Sequence, residues 1–214
     1  MKKLFALFAS LLIGFAAFAQ SAEEVLSKME KVMDGHENDG LIMTMEIKIP
    51  ILGTMSTKTW SVGDKMKMEL SSMGQKATSW VDEAGNISWT YDSDKNTITI
   101  ENASSSSSSS DSGDAEMFSG VADGYDVSIK KDTDKAWYIQ CKKSKTNTNK
   151  DDPKNMEIVV AKGSYMPISL SAKMNGITMV MKDIAYGVKE ADVTFDMSKF
   201  PDATVVDKRG EERK

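Results

Sequence analysis

In residues 41–49, LIMTMEIKI, Leu41, Met43, Met45, Ile47 and Ile49 fall on one side of an extended chain. Thr44, Glu46 and Lys48 fall on the other. A period of two marks a strand with one face in water and one against apolar material. The same alternation recurs downstream. Met66, Met68 and Leu70 alternate with Lys65, Lys67 and Glu69, and Ile98 and Ile100 with Thr97, Thr99 and Glu101. Met156, Ile158 and Val160 repeat it, then Met166, Ile168, Leu170, Ala172 and Met174, then Ile177, Met179 and Met181. Turn signals separate these runs at Gly53, Gly63-Asp64, Gly74, 82–86, 92–96, 132–134 and Asn175-Gly176, the last a two-residue hairpin signature. The pattern predicts about ten short antiparallel strands, polar on one side and apolar on the other.

Just upstream the period is 3.6. Val25, Leu26, Met29, Val32 and Met33 share one helical face, opposite Glu23, Glu24, Lys28, Glu30 and Lys31. Ser21 is placed to cap the helix, with Glu24 completing a capping box and Gly35 as the stop. The expected architecture is mainly β with helices (α+β). It is a large curved antiparallel sheet forming a half-open barrel, its concave apolar face covered by the N-terminal helix and a short lid helix. The lid expectation rests on residues 115–121, where Met117, Phe118 and Val121 would face the protein. They follow seven consecutive serines, Ser104 to Ser110, inside a flexible loop at 102–114. The segment reads equally as a surface insertion.

The first nineteen residues read as a signal peptide: Lys2 and Lys3, an apolar stretch from Leu4 to Phe18, and small residues at Ala17 and Ala19. The apolar stretch is short for a bilayer span of about 20 residues. Residues 20–214 then form a single domain. Without Lys2 and Lys3 it has 25 basic against 32 acidic side chains, a net charge near −7. That excess excludes nucleic acid as an expected partner, because such binding rests on neutralised phosphates. It also argues against a general electrostatic hold on anionic membranes. Cys141 is alone, so no intrachain disulfide is available, and its place in the alternating run 136–143 makes it a small strand side chain.

Reactive groups are sparse. His36 is the single histidine and sits in a loop with Glu37, Asn38 and Asp39, where solvation is the simpler reading. One His and one Cys cannot build a zinc site. Asp92, Asp94 and Asn96 begin like a calcium loop, but Thr97 stands where glycine is needed and Ala103 where a bidentate Glu is needed. With no phosphate loop or nucleophile elbow, neither an enzyme nor a cofactor is expected. The chain is instead rich in methionine: fifteen besides Met1, against five Leu after residue 20. Unbranched, polarizable methionines suit a cavity for flexible acyl chains, and equally an ordinary core. Trp60, Trp80, Trp89 and Trp137 are candidates for ligand contacts or for rim and core packing.

Several stretches resemble the outer-membrane lipoprotein carrier family (LolA and LolB), in its Bacteroidetes type. Val62-Gly63-Asp64-Lys65-Met66-Lys67-Met68-Glu69 resembles that family's "g-x-K-x-r-x-e" run. Trp80 to Asn86 followed by Trp89-Thr90-Tyr91-Asp92 is similar to its "dG-x-x-x-W-x-Y-d" segment. Pro167 to Leu170, Asn175-Gly176, Met181 to Ile184, and Phe195, Pro201 and 205–207 continue in the family's order, so the likeness covers most of 21–210. It implies a periplasmic carrier, or a secreted one, whose cavity takes an acylated lipid or lipoprotein and whose partners include an inner- or outer-membrane protein. A lipid sensor on the same scaffold, or a β protein with a solid core, are the alternatives. The expected lining is Met43, Met45, Ile47, Met66, Met68, Leu70, Ile168, Leu170, Met179 and Met181, with Met117 and Phe118 on the lid. The family's buried arginine has no counterpart: the first two strands offer Lys48 and Lys58. Mass spectrometry of protein recovered from a bacterial envelope is expected to show a chain beginning at Gln20. A chain retaining Lys2 and Lys3 would mean an uncleaved anchor.

Overall fold

The computed structural model describes residues 20–36, 38–103 and 120–210. The expected signal peptide, the serine run, and Met117 and Phe118 lie outside the described residues.

After helix α1 (Ala22–Asp34), β1 (Leu41–Ile49), β2 (Gly53–Val62), β3 (Lys65–Ser72), β4 (Gln75–Asp82), β5 (Ile87–Asp92) and β6 (Thr97–Glu101) form one antiparallel meander. β7 (Tyr125–Asp132), β8 (Ala136–Lys143), β9 (Asn155–Ala161), β10 (Pro167–Met174) and β11 (Ile177–Tyr186) form a second. The two join where β11 pairs antiparallel with β1. The chain ends with α2 (Glu190–Val193), a 3-10 turn (Met197–Lys199) and β12 (Thr204–Asp207), which adds to β6 in parallel. The result is one twelve-stranded sheet, open and curled, with β12 and β7 as its edges. Expected turns at 63–64, 82–86, 92–96, 132–134 and 175–176 all fall at strand ends. The strand count exceeds the expected ten, and one pair is parallel.

α1 forms where its sequence predicts. Ser21 Oγ accepts the Glu24 N–H at 3.1 Å, the first half of the capping box. The second half is absent from the described contacts, because the Glu24 carboxylate takes Gln20 and Lys28 instead. Gly35 ends the helix in a right-handed conformation, φ −66°, so its role there is not left-handed freedom.

Residues directly opposite in an antiparallel ladder share a face. The register therefore strings Ile158, Leu170, Met181, Met45, Thr57, Leu70, Ala77, Asp92 and Thr97 along one face of the sheet. Over β7–β10 this face meets α1. Val25, Leu26, Met29 and Met33 pack with Trp137, Ile139, Cys141, Met156, Ile158, Val160 and Ala172 in a solid core.

On β4–β6 the larger apolar cover lies on the opposite face, contrary to the expectation of a single covered side. Trp80 stands opposite Trp89, Trp89 opposite Ile100, and Tyr91 opposite Ile98. The C-terminal strap lays Phe195 and Phe200 over them, with Phe195 stacked on Trp89 at 4.9 Å and Phe200 tilted against Tyr91 at 4.6 Å. Trp80 meets both rings edge-on. Ile98 on the same face is fully buried, and Val193 is sealed in α2, which packs on β2 and β3. Five aromatics linked by ring contacts supply a second core that one helix could not reach. Met29→Ala and Ile98→Ala are each expected to cost about 2–5 kcal/mol. Because the two sites lie on opposite faces, the costs should add within about 0.5 kcal/mol in denaturant unfolding. Stronger coupling would mean a single continuous core.

Candidate functional site

Between the two cores, the face that carries α1 continues onto β1, β2 and β3. Met45 and Ile47 on β1, and Met66 and Met68 on β3, are half-buried there, while Met55 and Leu70 are 37% and 39% exposed. None of these six belongs to the cluster under α1, which packs chiefly on β7 and β9. Thr57 and Thr59 separate the two methionine rows, so apolar strips alternate with a hydroxyl strip. Farther along the face come Ser79 and Thr90, hydrogen-bonded at 3.1 Å.

The expected lining residues divide into three groups. Met45, Ile47, Met66, Met68 and Leu70 form the open strip. Leu170, Met179 and Met181 share the face but lean against the α1 core, and Met43 is buried at 8% exposure. Ile168 is a correction. A register shift between Pro167 and Ser169 places Pro167 opposite Val160 and leaves Ile168 as the extra residue of a bulge, 45% exposed and out of the row. Met55 belongs to the strip and was not expected, since its strand, GTMSTKTWSV, has no apolar alternation to announce it.

Among the described residues the strip is open, most of all at Met55 and Leu70. At its β3–β6 end is a depression of about 250 Å³ lined by Leu70, Ser72, Ala77, Thr90, Asp92 and Lys95, below the range of about 300–1,000 Å³ usual for small-molecule pockets. The opposite side of the same strands is charged. Glu46 takes Lys182 at 2.6 Å and Lys48 at 3.4 Å. The Lys182 hydrogen bond holds the Glu46 carboxyl below the usual range. Lys58 and Lys67 flank the Trp60 ring at 4.8 and 4.6 Å.

The remaining sequence candidates are structural. Trp137 stacks on Tyr165 at 5.3 Å within the main core. His36 differs from the solvated loop residue expected: its ring stacks on Tyr186 at 4.7 Å and its Nδ1 lies 2.6 Å from Asp39 Oδ2. Asp92 closes the β5–β6 hairpin, accepting the N–H groups of Asp94 and Lys95. Among the described residues no group of three His, Cys, Asp or Glu side chains is arranged to hold a metal. No described helix is long and apolar enough to cross a membrane.

The fold is an open half-barrel of the α+β class. Solved structures similar to the chain include the lipoprotein LppX of Mycobacterium tuberculosis, with 10% identity, 79% of this chain and 98% of that one covered, and a TM-score of 0.49. LprF of Mycobacterium bovis shows 5% identity, coverage of 80% and 96%, and a TM-score of 0.49. A LolA superfamily protein of Nitrosomonas europaea shows 10%, coverage of 83% and 99%, and 0.30. No protein-family model and no curated protein matches the chain.

Burial pushes the Cys141 thiol from 9.0 up to about 11. The folded state therefore keeps its proton through a range where the unfolded chain loses it, and unfolding is favoured progressively between about pH 9 and pH 11. Cys141→Ala is expected to lose that share of the alkaline destabilisation, read as a flatter stability curve than the parent's across this window. Equal slopes would mean that the thiol does not titrate on unfolding.

Proposed function

We propose that this protein binds an acyl chain of a lipid or lipoprotein along the methionine strip of β1–β3 and carries it as an extracytoplasmic, periplasmic protein. The observation that carries this reading is the contrast within one face of the sheet. Over β7–β10 the face is sealed by α1, whereas over β1–β3 it presents Met45, Ile47, Met55, Met66, Met68 and Leu70 outside that seal. The sequence resemblance to lipoprotein carriers supports the same ligand class. Release of methylenes from water supplies about 0.8 kcal/mol each, so a long chain is held without polar recognition. Methionine side chains adapt to it at little cost.

The test is uptake of a fluorescent fatty acid and native mass spectrometry of protein purified from a bacterial envelope. A bound acylated species is expected. Met45→Asp and Met68→Asp should each weaken fatty-acid uptake by about tenfold or more, since each sets a charge in the apolar strip, while Met179→Ala should act mainly on stability. A clean apo mass with no uptake would sink the proposal and favour a β protein whose methionines only fill space.

A further inference from the structure

Two adjacent hairpin tips carry apolar side chains where backbone sterics ask for others. The β1–β2 turn contains Pro50, Ile51 and Leu52. Ile51 has φ +73° and is fully exposed, and Leu52 is 58% exposed. The β3–β4 turn contains Met73, with φ +51° and 73% exposure. Positive φ is the province of Gly, Asn and Asp, and a β-branched residue there is an outlier. This chain uses the usual solution elsewhere: Asn86, Asn96 and Asn175-Gly176 fill the left-handed positions of their turns. Ile51 and Met73 thus accept strain and bury nothing in return, a combination that points to use rather than packing.

The register puts both tips at one end of the sheet. Met55 faces Ile47 on one side and Ser72 on the other, so the β3–β4 turn lies beside the β1–β2 turn. Met55 and Leu70 lead from the tips towards Met45 and Met68, which makes the apolar surface continuous from tip to strip. On the reverse side of the same end stand Lys48, Lys76 and Lys173. Lys48 and Lys173 flank Thr178 in one row, and Lys76 lies across from Ser71. The neighbouring β5–β6 turn brings Asp92, Asp94 and Lys95, with Lys95 on Asp92 at 2.8 Å. The positive excess is modest, and apolar insertion is the larger contribution.

We propose that this end of the sheet docks on a lipid bilayer bearing anionic headgroups. Ile51, Leu52 and Met73 enter the acyl boundary, while Lys48, Lys76 and Lys173 remain at headgroup level. Apolar tips backed by lysines whose stems can reach up to the phosphates are the elements an interfacial contact needs. The inference stands apart from acyl carriage, because docking requires only the tips. Its test is co-sedimentation of envelope-purified protein with vesicles of phosphatidylethanolamine and phosphatidylglycerol. The parent is compared with a variant carrying Ile51→Asn, Leu52→Asn and Met73→Asn and the same N-terminus.

The expected result is loss of vesicle binding by about tenfold for each tip residue. The thermal midpoint should be unchanged or higher, since asparagine suits positive φ. Fatty-acid uptake measured alongside separates the two proposals: uptake retained with docking lost supports the docking surface alone. Failure of the parent to sediment with vesicles, or equal sedimentation of the variant, would overturn it. So would a parent dimer that the substitutions dissociate with no vesicle binding by either protein, which would make the tips a contact between two copies.

Discussion

The cover is smaller than the sheet. A helix of 13 residues is about 20 Å long, while twelve strands spaced about 4.8 Å apart extend for more than 50 Å. α1 can seal one half of a face and no more. Everything distinctive in the molecule follows from how the remainder is treated. Over β4–β6 the C-terminal strap supplies aromatic cover on the other face. On the α1 side of β1–β3 neither cover lies among the described residues, the strap helix α2 packing on β2 and β3 with Glu190 paired to Lys65 of the reverse face, and there the apolar side chains become methionines interleaved with threonines.

That division explains why much of the architecture is legible in the sequence and some is not. α1, the alternating runs of β1, β3, β6, β9, β10 and β11, and nearly every hairpin turn are written in residue spacing. β2 is not, because its side chains are largely Ser, Thr and Lys, and a strand flanked by others is held by its ladder without a strong apolar period; edge strand β7 does alternate, through Tyr125, Val127 and Ile129, which pack against the α1 core. Alternation also separates two sets of residues without saying which set is covered. Ile98 and Ile100 read like Met66 and Met68, yet they point to opposite faces, because the cover over them comes from Phe195 and Phe200, about a hundred positions away. Ile168 escapes for a related reason: one extra residue at the Pro167–Ser169 shift breaks parity, and nothing in the local pattern signals it.

The site was partly legible. Met45, Ile47, Met66, Met68 and Leu70 were identifiable from alternation alone, and the register sets them side by side. The core role of Met179 and Met181 depends on where α1 lands, a tertiary fact. The tips carried a signal of another kind. Gly53 and Gly74 mark turns, and apolar Ile51, Leu52 and Met73 stand immediately before them, where polar residues are the rule.

The seam between β1 and β11 has a consequence for how the chain acquires this shape. Within each meander the pairings join neighbours in sequence, so they form with short loop closures. The β1–β11 pairing links Leu41 to Tyr186 and Lys48 to Thr178, a far longer closure whose entropy must be met before the contacts repay it. Both covers make closures of the same kind: α1, at the N-terminal side of β1, seals β7–β10, and the strap that follows β11 seals β4–β6, so neither meander is covered by its own stretch of chain. The methionine strip is built within the first meander, and the seam sets its β1 row beside Met179 and Met181 of β11.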